Sequence, residues 1–279
     1  MSALRSFFDL LRANLASLVR PRRSLSMVRT LEAVMEAHRR GDYAAELERA
    51  EGFRAGTEIT EQYCFFRGAA LANLGRDEEA ERWLRRHVTM RMLQKEKALG
   101  WAVLGDLLVR QRRFHEAMEC FQTCLQLWPE RPSSRRNIAE WHLRCGDDAG
   151  EALKWAREAV ERQRSGRPRS DGARRVHRLN LGEALATLAW AVSVVSGDRK
   201  EVDRLIVEAE KLVNCGSVQS AAQVHCQAGH AYTALGDVEN GMWHFEEAAR
   251  IDRQGRWGRE ARGMTFSMIE GPSSDNRRG

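Results

Sequence analysis

The sequence predicts an all-α chain, a solenoid of stacked helix-turn-helix hairpins, and three observations carry that prediction. Apolar residues recur every three or four positions along most of the 279 residues, and no useful stretch alternates with the period of two that a strand requires. A turn carrying Gly-Asp or a relative of it returns at near-constant spacing. The chain has only five prolines, so its helices meet few breaks.

The clearest unit lies between Trp101 and Pro129. Trp101, Leu104 and Leu108 form one apolar stripe, and Phe114, Ala117, Phe121 and Cys124 form a second, so two amphipathic helices face each other. Gly105 and Ala117 are small where the helices must cross closely, and Pro129 ends the second helix. From this unit the turn can be followed along the chain. Gly41 and Gly75 are 34 residues apart, Gly75 and Arg112 37, Arg112 and Gly146 34, Gly146 and Gly197 51, and Gly197 and Gly236 39. Only the interval of 51 requires an insertion of real size.

In order, residues 1–26 begin with a helical stripe of Leu4, Phe7, Phe8, Leu11, Leu15 and Leu18, closed by the basic cluster Arg20, Arg22 and Arg23. That stripe suits docking on protein, its own or a partner's, and it also suits a membrane interface with arginines at anionic head groups. Units one to four occupy 27–163, at roughly 27–60, 61–97, 98–131 and 132–163. Residues 164–180 read as a mobile basic linker. Arg164, Arg167, Arg169, Arg174, Arg175 and Arg178 face one acid, Asp171, among Ser, Gly and Pro. Units five and six follow at 181–216 and 217–254. Trp190 stands where unit five needs a small residue, so that hairpin should widen or the ring should point elsewhere. In 255–279, Trp257, Ala261, Met264 and Met268 share a stripe fit for a closing helix, and the last residues are too polar to fold.

These units resemble the tetratricopeptide repeat, whose period is about 34 residues with a large residue, a Leu-Gly pair, a buried Ala and a late Pro. The resemblance covers about four-fifths of the chain, most closely at Trp101–Pro129 and at Ala228-Gly229-x2-Tyr232-x3-Gly236-x4-Gly241-x3-Phe245-x2-Ala248. It implies a right-handed superhelix whose inner groove is lined by the first helix of each unit and binds a partner peptide or helix. By the same resemblance, Phe65, Asn73, Asp106, Arg110, Arg136, Glu140, Arg144 and His230 line that groove. Arg110, Arg136 and Arg144 would grip carboxylates by paired hydrogen bonds, so the expected partner is a protein or peptide, with an acidic one well suited. Family members that bind the carboxylate terminus of heat-shock chaperones use a lysine and asparagine arrangement over three units. Here Leu31, Met35, Phe65 and Ala69 stand in the first two of those units instead.

Composition narrows the function further. The net charge is +6, supplied by arginine, since Lys95, Lys97, Lys154, Lys200 and Lys211 are the only lysines. RNA or another polyanion on the arginine-rich segment is therefore an alternative reading, although no polar pair recurs at fixed places as base-by-base readout requires. No membrane span is expected, because the longest run free of acidic, basic and histidine residues, 184–197, is 14 residues and a span needs about 20. Six scattered cysteines read as reduced thiols of a cytoplasmic protein, with peripheral membrane contact left to the first helix.

Catalysis is not expected. No phosphate loop or dinucleotide fingerprint is present, and Gly255-Arg256-Trp257-Gly258 lacks the strand such motifs follow. Cys120 with Cys124, and Cys226 with His230 beside His225, sit one helical turn apart, but the two pairs lie about a hundred residues from each other. Zinc needs converging ligands, so no metal and no cofactor is expected. The tryptophans at 83, 101, 128, 155 and 243 read as core packing.

Overall fold

The computed structural model describes residues 21–270, apart from 55–58, 132 and 215–216, and for 21–26 and 270 it describes the backbone alone. Among the described residues there is no strand. Thirteen α-helices follow one another: α1 (Pro21–Arg40), α2 (Tyr43–Ala50), α3 (Glu61–Leu74), α4 (Asp77–Thr89), α5 (Gln94–Arg110), α6 (Phe114–Leu127), α7 (Ser134–Cys145), α8 (Ala149–Ser165), α9 (Asp171–Val195), α10 (Arg199–Val213), α11 (Val218–Ala234), α12 (Val238–Ile251) and α13 (Arg256–Glu270). They pair as six hairpins, α1/α2 to α11/α12, with α13 left over.

The recurrent Gly-Asp turn works as a stop followed by a start. Gly41, Gly75, Gly146, Gly197 and Gly236 all have positive φ, the left-handed geometry that closes a helix. The next acid then caps the following helix: Asp42, Asp148, Asp198 and Asp237 accept from the backbone N–H three residues on. Arg112 takes the same geometry at φ 59°, the one positive-φ residue other than glycine among those described.

Within the hairpins the glycines expected at the crossings are in contact. A Cβ on Gly105 would come 2.5 Å from Phe121, and one on Gly229 would come 2.6 Å from Phe245. Only a bare backbone lets those rings pack flat against the facing helix. Phe65, Phe66, Phe121 and Phe245 are wholly or almost wholly buried, each contributing about 1.5–3 kcal/mol by leaving water.

Two elements depart from the sequence reading. The stretch 164–180 is not a loop: α8 runs to Ser165 and α9 begins at Asp171, leaving five residues between them. Ser170 accepts from the Ala173 N–H, and Val176 and Leu179 extend the buried stripe of α9 while Arg174, Arg175 and Arg178 stay exposed. The interval of 51 is thus two lengthened helices. Trp243 is the second departure, 55% exposed rather than core. Trp190 stacks on His230 of the next hairpin, with ring centroids 4.4 Å apart. Unit five crosses instead at Gly182, against Val213 and Ala209.

The array closes on itself. Gly41 of the first turn lies against Val218 of α11, and Tyr43 of α2 bonds Asp252 beyond α12. The first and last hairpins touch, and α13 turns inward across the face lined by α3, α5, α7 and α11. The predicted stripe of Leu4, Phe7, Phe8, Leu11, Leu15 and Leu18, like the tail 271–279, lies outside the described residues.

Candidate functional site

The inner face is formed by the first helices of the hairpins, and α13 is laid over it. Asp252 sets that placement, because its carboxylate accepts from the backbone N–H of Gly255 at 3.0 Å and of Trp257 at 3.2 Å, capping the helix. Gly258 permits it, since a Cβ there would collide with the Asp252 carbonyl. This is the structural use of the Gly255–Gly258 pair.

From the first turns of α13, three polar side chains reach the inner face. Arg256 approaches Asp106 at 3.5 Å and Glu140 at 3.4 Å. Arg259 donates to the carbonyls of Asn73 at 2.7 Å and Ala72 at 3.4 Å. Glu260 accepts from Arg144 at 2.7 Å and lies 3.1 Å from the His230 ring nitrogen. Burial alone would raise the Glu260 carboxyl, but Arg144, His230 and Arg256 hold it well below the usual range.

The groove residues expected from the sequence therefore meet partners within the chain. Arg110 pairs with Asp77 at 3.3 Å and donates to the Ala72 carbonyl. Arg136 pairs with Glu183 of α9, both buried. Arg144 bridges Glu140 and Glu260. Asn73 accepts from Gln219 at 3.3 Å, and Asn137 donates to Asp106. Phe65 is fully buried and faces Phe66 and His87, in the core rather than on a wall.

Part of the face stays open. A cleft of about 640 Å³ remains between α13 and the turns of units two and three, reaching across to α7, α9 and α11. Arg110, Arg112, Arg144, Arg256 and Arg259 line it against the carboxylates of Asp77 and Glu260, with Phe114, Trp190 and Met264 giving an apolar floor. Burial, with Arg256 and Arg259 close by, pushes the Arg110 guanidinium down to about 10 against the pull of Asp77. Positive charge is crowded there. Arg112 is exposed and forms no ion pair among the described residues, and Arg259 donates only to backbone carbonyls.

Of the residues expected on the inner groove, Arg110, Arg144 and His230 line this cleft, and Arg112, Arg256, Arg259 and Trp190 line it without having been among them. Arg112 carried a signal, a long basic side chain where every other turn has glycine. The residues of α13 carried none, because nothing local says that the helix after the sixth hairpin folds back over the inner face. The linker arginines 164, 167, 169, 174, 175 and 178 are exposed around the junction of α8 and α9 and do not line the cleft, with Arg164 paired to Glu208 and Arg174 to Asp171.

Cys226, His230 and Glu260 also converge. Arg144 already neutralises that carboxylate, so the group is an ion-pair network hostile to a cation. No helix among the described residues is long and apolar enough to cross a membrane.

Comparisons with known proteins agree with this architecture. The tetratricopeptide-repeat family model matches residues 98–130 and 222–254, the two units with the fullest pattern. No curated protein sequence matches the chain. Among solved structures, NprR in complex with its cognate peptide NprX is similar over 99% of this chain and 79% of that one, with TM-score 0.60 and 11% identity. A Rap protein complexed with Competence and Sporulation Factor is similar over 97% and 81%, with TM-score 0.58 and 8% identity. A thermophilic repeat protein of Thermus thermophilus is similar over 76% of this chain and all of that one, with TM-score 0.51 and 14% identity. Two of the six units thus match the tetratricopeptide-repeat model, and the chain as a whole shares the helical-repeat fold of these solved structures.

Proposed function

We propose that the protein is a non-catalytic interaction scaffold that binds an acidic peptide segment in the cleft between α13 and the inner face. The single observation behind this reading is the charge of the cleft: five arginines against two carboxylates, with Arg112 and Arg259 outside any ion pair among the described residues. A partner carboxylate would complete what the chain leaves open, since a guanidinium fork matches a carboxylate in two parallel hydrogen bonds. Trp190 and Phe114 add flat apolar surface for the partner's aliphatic side chains. NprR and the Rap protein, which share the fold, are both seen with bound partners, NprR with its cognate peptide.

A peptide array graded in acidic content tests the reading. Acidic members should be retained by the wild type and lost from an Arg112→Gly, Arg259→Gln double variant. Arg136 is unsuited to such a test because it is buried and paired, so reversing its charge would unfold the array rather than empty the cleft. Retention without regard to charge, or equal retention by both proteins, would remove the proposal.

A second reading rests on a separate surface. Arg162, Arg164, Arg167, Arg169, Arg174, Arg175 and Arg178 are all exposed around the α8–α9 junction, an arrangement suited to a polyanion such as RNA. Binding measured against salt should then weaken steeply, and a flat response would exclude it.

A further inference from the structure

Three metal-ligand side chains converge from three helices of the last two hairpins, and none of them lines the cleft. Glu210 comes from α10, His225 from α11 and His244 from α12. His225 Nδ1 lies 3.0 Å from His244 Nδ1, and Glu210 Oε1 lies 3.6 Å from the first and 3.8 Å from the second. A triangle with those sides has a centre about 2.0 Å from every corner, and zinc binds imidazole nitrogen and carboxylate oxygen at about 2.0–2.2 Å. The same atoms serve in all three separations, so one ion would meet all three ligands together.

We propose that Glu210, His225 and His244 bind a first-row divalent metal ion of the zinc type, with the fourth position open toward solvent. The rings are held in place for it. Tyr232 stacks on His244 with centroids 5.2 Å apart, and Trp243 packs edge-on against both imidazoles. Pinned rings lose little freedom on binding, which is the condition a preorganised site needs. His244 is buried while Glu210 is about one-third exposed, so an ion enters from the Glu210 side.

Charge favours a cation. Glu210 forms no ion pair with lysine or arginine among the described residues, and Glu247, the nearest further acid, is engaged by Arg250. The sequence hid this group because His225 and His244 lie 19 residues apart on two helices and Glu210 stands on a third. Only the antiparallel packing of α10, α11 and α12 brings them together.

The alternative occupant of the space is a proton, shared in a plain hydrogen bond between the two Nδ1 atoms. Zinc titrated calorimetrically into the EDTA-treated full chain separates the two. Binding of one zinc per chain is expected, with cobalt in its place giving the strong visible bands of a four-coordinate site. Glu210→Gln and His225→Gln should each weaken zinc binding at least tenfold, while Cys226→Ser leaves it unchanged. Circular dichroism in EDTA checks that each variant is folded, and Glu210→Gln is close enough in shape to keep the fold if His225→Gln does not. Absence of saturable zinc binding to the wild type, equal affinity in Glu210→Gln, or loss in Cys226→Ser would each overturn the proposal.

Discussion

Tyr43 donates its hydroxyl to Asp252 across 3.3 Å, although 209 residues separate them along the chain. Both are buried, so the bond ties the first hairpin to the turn that launches α13. Tyr43→Phe should cost about 1.5–3 kcal/mol in urea unfolding, the range for losing a hydrogen bond to a charged acceptor. Amide exchange over 256–270 should quicken in the same variant. Unchanged exchange there would mean that the arginines of α13 hold it without help from the first hairpin.

The Arg136–Glu183 pair joins α7 to α9 with almost no exposure on either side, and Ser220 of α11 donates to the same carboxylate at 2.6 Å. Removing one charge strands the other in a low-dielectric interior. Glu183→Ala is expected to destabilise the fold by about 3–5 kcal/mol, whereas replacing both partners by apolar residues of similar size should cost far less. Equal losses in the single and double variants would show that the ion pair is not what the site depends on.

Arg112 holds φ 59° where the other five turns place glycine. A side chain in that geometry costs roughly 1 kcal/mol, so Arg112→Gly should raise stability by about that amount and shift the melting temperature upward. Its affinity for an acidic peptide should fall at the same time. A variant that is more stable and binds equally well would place the recognition elsewhere.

Acid should release α13. The folded Glu260 carboxyl titrates below its ordinary value, so its contribution to stability is complete above about pH 4.3 and is lost as pH falls toward the folded pKa. The wild type should lose more stability than Glu260→Gln on going from about pH 5 to about pH 3, as read by denaturant melts at each pH. Parallel pH profiles would show that Glu260 is not held by Arg144 and His230 in solution.

Much of this was legible in the sequence, for reasons the structure makes physical. Gly-Asp reads as a turn because glycine alone reaches the left-handed closing geometry without strain and aspartate caps the next helix, both local effects. Gly105 with Phe121 was legible too, since a small residue opposite a large one is a packing statement between adjacent helices. The segment 164–180 reads as a linker because its like charges outweigh a weaker signal, the Ser170 cap followed by Val176 and Leu179 on one stripe. Charge density reports solvent exposure, and an exposed helix face satisfies that as well as a loop does.

By itself the sequence determined where the helices turn at the recurrent glycines and, in units three and six, which residues cross closely; the α8–α9 junction and the crossing of unit five escaped it. The turns and the two crossings depend on contacts within about one repeat, where local geometry is nearly fixed. The tertiary structure alone decided that Tyr43 meets Asp252, that Arg110 and Arg144 face α13 as well as an open cleft, and that Glu210, His225 and His244 share one point in space. The physical reason is accumulation. Each hairpin adds a small rotation to the stack, and only the sum over six of them determines whether the inner face stays open or closes on the helix that follows.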